Sequence, residues 1–186
     1  MTSIHQYQDL IALFNQTFSD SERTILVRGE DEPIYIPAKT IQQKHQIVFA
    51  HGYFASALHE IAHWCIAGKE RRLLEDYGYW YCPDGRNQEQ QAQFEKVEVK
   101  PQAVEWALSC ATDKPFRVST DNLNGAPVDV RAFQQAVQTQ AQTYLRAGFP
   151  KRAAIFIQVL QNFYHTSPLN SGNFTWANED EILTHV

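Results

Sequence analysis

A chain of 186 residues is the size of one domain with a substantial core, and 44% hydrophobic and 12% aromatic residues are the proportions of a globular protein. Its 16 Lys and Arg against 21 Asp and Glu leave a formal charge of −5, which argues against a nonspecific nucleic-acid surface. No apolar run approaches the roughly 18–20 residues of a membrane span, and three cysteines without a C-x-x-C pair, behind an N-terminus with no signal-peptide pattern, predict reduced thiols in the cytoplasm.

Tyr7, Leu10, Ile11, Phe14 and Phe18 recur at helical spacing and predict an amphipathic first helix that stops near Ser19 and Asp20. Residues 24–28 read as a short strand. Residues 33–37 are extended, but their two flanking prolines demote them to an edge strand or a loop. Residues 46–50, β-branched and apolar, are a better strand. His51 and Gly52 then punctuate the chain, which puts His51 near the entrance of any site built on the next helix.

That helix carries His59-Glu60-Ile61-Ala62-His63, an H-E-x-x-H motif. Positions i and i+4 stand on one helical face, so two imidazoles there can share a metal ion without backbone strain. Ala57, Leu58, Ile61 and Ala62 make the helix largely buried, and a buried histidine pair needs partners for its ring nitrogens. Cys65 lies roughly 200° around the helix from His63 and is expected in the core. Gly68 is expected to stop the helix, with Lys69, Arg71 and Arg72 suiting the negative end of its dipole.

Residues 77–82 read as a strand and Pro83-Asp84-Gly85 as a turn. Asn87 can cap a long helix in which Phe94, Val97, Pro101, Val104, Leu108 and Ala111 form an apolar stripe, kinked or restarted at Pro101. Phe133, Val137 and Tyr144 predict another helix, closed by Gly148 and Pro150, and residues 153–164 a further one. The tail from about residue 167 is polar, with Phe174 and Trp176 as its anchors. The sum is a single α+β domain over residues 1–186, mainly helical, with a small sheet next to the H-E-x-x-H helix.

Two histidines alone hold a metal weakly. Glu95, Glu98, Gln102 and Glu105 fall on one side of the long helix beside its stripe. Glu98, just before the Pro101 disturbance, is the chosen third ligand, with Glu95 and Glu105 as runners-up. Two His and one carboxylate leave coordination positions open, and two chemistries fit. With zinc, Glu60 would be the general base of a peptidase. With iron(II), the open positions would take dioxygen or substrate. A non-catalytic binding module with a structural metal fits less well, because such sites are usually closed by four ligands and rich in cysteine.

Around the motif, Tyr79, Trp80 and Tyr81, with Tyr53 and Phe54, are candidate walls of a pocket. Asp76 and Glu75 are a candidate acidic rim for a cationic substrate, Arg86 a candidate contact to a substrate carbonyl or anion, and His51 a candidate neighbour of the ligands. Each also has an ordinary explanation, as packed aromatics, solvated charges or a surface arginine.

Taken together, residues 51–68 around the motif, 76–86 (DYGYWYCPDGR) and 94–102 (FEKVEVKPQ), with 31–35 and 121–123, resemble the bacterial elongation factor P hydroxylase family, and the likeness runs over nearly the whole chain. The resemblance implies a metal-dependent oxygenase that adds a hydroxyl group to a lysine of elongation factor P already carrying a β-lysyl group. It implies a divalent metal, iron(II) with zinc as the competing ion, held by His59, His63 and Glu98, with dioxygen as co-substrate. Glu60 would then orient a water, accept a proton or contact the substrate amine. A long cationic side chain suits a narrow aromatic channel with a carboxylate near its end, so Tyr79, Tyr81 and Glu60 or Asp76 are expected to meet it.

Overall fold

The computed structural model describes residues 5–76, 85–120 and 129–176. Helix α1 (Tyr7–Phe18) leads into β1 (Thr24–Arg28), β2 (Ile34–Ile36) and β3 (His45–Phe49), and then into α2 (Phe54–Ile66), which carries the H-E-x-x-H motif. After a 3-10 turn at Arg71–Leu73 come α3 (Gln88–Ala111), α4 (Val130–Ala147) and α5 (Lys151–Tyr164). Among the described residues the domain is therefore mainly helical with one small sheet, as expected. The strand expected at 77–82, with Tyr79 and Tyr81 on it, lies outside the described residues.

The strands stand in the order β1-β3-β2. β1 pairs with β3 in parallel, Leu26 opposite Ile47, and β2 pairs with β3 antiparallel, Tyr35 also opposite Ile47. Pro33 and Pro37 lack the N–H that a central ladder needs, and β2 accordingly takes an edge. Among the described residues its outer side bonds to Asp76: Tyr35 N–H donates to Asp76 O at 2.7 Å and Asp76 N–H donates to Tyr35 O at 3.1 Å. This bridge brings the chain after the 3-10 turn back beside the sheet.

The step from β3 into α2 turns through two left-handed residues, His51 at φ 55° and Gly52 at φ 69°. A Cβ on Gly52 would also lie 3.2 Å from Arg28 Nε and from Tyr7 Cε1, so the turn needs glycine on both counts. Helix α2 ends differently from expectation. Its last helical residue is Ile66, Ala67 is already extended at ψ 126°, and Gly68 lies beyond with no positive φ. The terminal carbonyls are taken instead by Arg152 of α5, whose Nη2 donates to Trp64 O at 2.7 Å, Cys65 O at 3.2 Å and Ala67 O at 2.6 Å. Its guanidinium also stacks 4.6 Å from the centre of the Trp64 ring. The nearby cations do other things: Arg72 pairs with Glu22 at 2.9 Å, while Lys69 is exposed.

Helix α3 opens on the expected cap, a reciprocal pair in which Gln90 N–H donates to Asn87 Oδ1 at 2.9 Å and Asn87 N–H donates to Gln90 Oε1 at 3.0 Å. It runs through Pro101 without restarting. Phe94, Pro101, Val104, Leu108 and Ala111 are buried as the stripe requires, but Val97 is 47% exposed and its neighbour Glu98 is buried instead. Pro101 has no N–H to give to the Val97 carbonyl four residues back, so the helix face here is not an ordinary packed one. Gly148 closes α4 at φ 101°. In the tail, Phe174 is fully buried and the Trp176 ring lies 4.2 Å from that of Trp106, so both anchors hold.

Candidate metal centre

One turn of α2 separates His59 from His63, and their Nε2 atoms face each other at 3.1 Å. Glu98 comes to them from α3: its Oε1 lies 3.2 Å from His63 Nε2 and its Oε2 lies 3.8 Å from His59 Nε2. One donor atom from each residue falls within 4.8 Å of the others, the spread a single ion can span. Two imidazole nitrogens and a carboxylate oxygen suit a divalent ion of borderline hardness such as iron(II) or zinc. Two Nε2 atoms at hydrogen-bond distance beside a buried carboxylate have an obvious common partner in such an ion. The set therefore fits a metal.

The ligand candidates are themselves held. His59 Nδ1 donates to Glu105 Oε2 at 2.8 Å, which leaves Nε2 to face the cluster. Gln102 Nε2 lies 3.4 Å from Glu98 Oε2 and donates to Ser119 O at 2.7 Å, while Ser119 N–H donates to Gln102 Oε1 at 3.0 Å. Glu98, Gln102 and Glu105 thus present a polar row on α3, at spacings of four and three, against α2.

The electrostatics follow from burial and close opposite charge. Burial disfavours an imidazolium at His59, but the charge and hydrogen bond of Glu105, with Glu98 and Glu60 nearby, outweigh it and raise the group to about 10. Burial would raise the Glu98 carboxyl, but His63, then His59 and Gln102, hold it down at about 2. The Glu60 carboxyl is raised, mainly by burial, against the pull of the two histidines.

A cavity of about 160 Å³ reaches the cluster, lined by Glu60, His63 and Glu98 and also by Tyr35, Arg71 and Asp76. Asp76 was expected at an acidic rim and does border the cavity. Its Oδ2 accepts from Arg71 Nε at 2.6 Å, and its backbone is the one bridged to Tyr35.

Two expected substrate residues are not brought there. His51 is exposed, 5.6 Å ring to ring from Tyr53, and does not line the cavity. Its left-handed turn sits at the N-terminal end of α2, and His63 is near the other end. Arg86 is only 3% exposed; it donates to Gln91 Oε1 at 2.9 Å and Thr120 O at 2.8 Å and lies over the Phe94 ring at 3.8 Å. Its guanidinium is used inside the fold, so it is neither a surface arginine nor a group facing the cavity. Tyr53 is 65% exposed and Phe54 is in the core, so neither walls the cavity. Cys65 is buried as expected, its thiol pushed up to about 12 by burial.

Of the runner-up glutamates, Glu95 accepts from Gln91 Nε2 at 3.0 Å and takes no part in the cluster. Glu105 has the role that sequence reading missed, binding a histidine rather than the ion position. The signal for it was present in the two-turn spacing from Glu98 to Glu105 on one helix face.

Residues 13–174 match the family model described as elongation factor P hydroxylase. Over 162 residues the chain is 54% identical to the elongation factor P lysine hydroxylase of Haemophilus influenzae, and the alignment covers 87% of this chain and 91% of that relative.

Proposed function

Because the chain belongs to the elongation factor P hydroxylase family, we propose that it hydroxylates a lysine of translation elongation factor P, and that this lysine already carries a β-lysyl group. The observation that carries the reading is the meeting of that membership with a His59, His63 and Glu98 cluster of which His63 and Glu98 line a cavity. Hydroxylation by dioxygen puts one oxygen atom into a C–H bond and reduces the other to water, drawing two electrons and two protons from a reductant. An iron(II) ion held by the three residues would supply the dioxygen chemistry that no side chain possesses.

The remaining work falls to the chain. His59, His63 and Glu98 would hold the ion, and the cavity beside His63 and Glu98 would take the substrate. Glu105 sets the ring of His59, and Gln102 steadies Glu98. Glu60, a cavity-lining carboxyl whose proton affinity burial has raised, is the group that holds or passes a proton there. Asp76, anchored by Arg71 and by the bridge to β2, meets the ammonium of the incoming side chain. Acting on a translation factor, the enzyme works in the cytoplasm, and no helix among the described residues is long and apolar enough to cross a membrane.

The test is mass spectrometry of β-lysylated elongation factor P after aerobic incubation with the chain, iron(II) and a reductant. One added oxygen is expected with the wild type and none with His63→Ala or Glu98→Ala. No gain under several reductants, together with retained zinc and peptide cleavage that Glu60→Gln abolishes, would replace the hydroxylase by a zinc peptidase.

A further inference from the structure

Exposed apolar side chains occur on the two segments that line the metal-site cavity. Leu73 is 68% exposed and Leu74 is 64% exposed, and both lie between two residues that line the cavity, Arg72 and Asp76. Val97, 47% exposed, lines the cavity itself from α3, one residue before Glu98. Single exposed leucines are ordinary on a soluble protein, but exposed apolar side chains on the segments that border one cavity are candidates for a contact surface. Val97 adds a second argument. It departs from a stripe that is otherwise buried, and such local departures concentrate at functional positions. Pro101, which also lines the cavity, has no N–H to give to the Val97 carbonyl, so the helix is perturbed at this edge.

We infer that Leu73, Leu74 and Val97 form the docking surface for the folded protein substrate, contacting the backbone and neighbours of the lysine whose side chain enters the cavity. The inference rests on the lysine-hydroxylase reading above and supplies its partner surface. A lysine belonging to a folded protein cannot reach the metal cluster unless its own main chain lies against the cavity mouth, so this rim is continuous with the catalytic contact. The charges beside the two leucines, Lys69, Glu70, Arg71 and Glu75, are of both signs. The rim contact itself is therefore apolar, and its share of the affinity depends only weakly on salt.

The experiment is a titration of fluorescently labelled, full-length β-lysylated elongation factor P with the iron(II)-loaded chain, kept anoxic so that no turnover occurs. The double substitution Leu73→Ser/Leu74→Ser raises Kd roughly tenfold or more, as loss of apolar anchors does, and Val97→Ser raises it in the same direction. Ile41→Ser leaves Kd unchanged; Ile41 is 79% exposed but on a segment that does not line the cavity. Metal content and thermal midpoint, measured on each variant, separate docking from misfolding. A Kd in the double variant equal to that of the wild type overturns the inference. So does an undetectable wild-type complex, and so does a double variant that only dissociates a dimer of this chain. The aerobic oxygen gain is read separately. Rim-dependent binding without hydroxylation sinks the hydroxylase reading alone, and hydroxylation with rim-independent binding sinks the docking surface alone.

Discussion

The carboxylates around His59 favour its doubly protonated imidazolium form in the metal-free protein, raising the group to about 10. A metal ligand must be the neutral imidazole, so ion uptake displaces one proton. Glu98, held down at about 2, is already ionised and contributes none. Affinity for a divalent ion therefore rises with pH from 6 to 9, by up to about tenfold per unit where one proton is displaced. Calorimetry in buffers of differing ionisation heat at pH 7.5 is expected to find close to one proton released per ion; zero would contradict the charged His59. The same titration on Glu105→Ala is expected to give an affinity roughly 10–100-fold weaker, because the His59 ring loses its orienting carboxylate. Undiminished affinity would mean that packing alone sets the ring. The sign for folding is opposite to that for metal. His59, raised above its ordinary 6.5, stabilises the metal-free fold fully below that value and loses the contribution as pH rises through about 10. At this scale the H-E-x-x-H spacing was legible because it is local. His51 and Arg86 were misread because their surroundings, a left-handed turn and the interior around Gln91 and Phe94, are not written in their neighbours along the chain.

Helix α2 is held at its C-terminal end by a residue 85 or more positions away, the Arg152 whose Nη2 meets three of its carbonyls. Removing it by Arg152→Ala exposes those carbonyls to no partner and strips the cation from the Trp64 face. The expected loss is about 2–4 kcal/mol of folding stability, read by urea unfolding, with weaker metal binding because His63 sits in that last turn. A loss below about 0.5 kcal/mol would show that the cap is dispensable. Element by element, the periodic segments were readable: α1 and β1 fall where the apolar spacing puts them, and the prolines around β2 predicted its edge position. The end of α2 was not, because local stop signals at Gly68 compete with a long-range arginine that only the packed structure supplies. The Val97 departure in α3 was hidden for a related reason. A 3-4 spacing of apolar residues records which face could be buried, and it does not record that one turn of that face opens on a cavity.

For the molecule as a whole, the metal-ligand candidates come from two helices, His59 and His63 from α2 and Glu98 from α3, which pack closely along the core. An ion bound between them ties together segments far apart in the chain. At one hundred times its Kd a ligand that binds only the folded state adds about 2.7 kcal/mol, so stripping the ion with a chelator is expected to lower the thermal midpoint by about 5–10 °C at this chain length. An unchanged midpoint, with metal loss verified, would argue that the ion does not bridge α2 and α3. The helical spacings and the few strand-like runs made the fold class legible, mainly helical with a small sheet. The parallel pairing of β1 with β3 was not, since two short strands with another strand between them in sequence carry no local sign of which will be neighbours.

The placement of one donor set across two helices has a consequence for supply. A protein that unfolds more readily without its ion is digested more readily without it, because proteases act on the opened chain. If the three residues hold an ion in this way, both the loaded fraction and the surviving number of molecules would fall in a metal-starved cell. Hydroxylation capacity would then drop more steeply than occupancy, and the half-life of the protein would become a gauge of available metal.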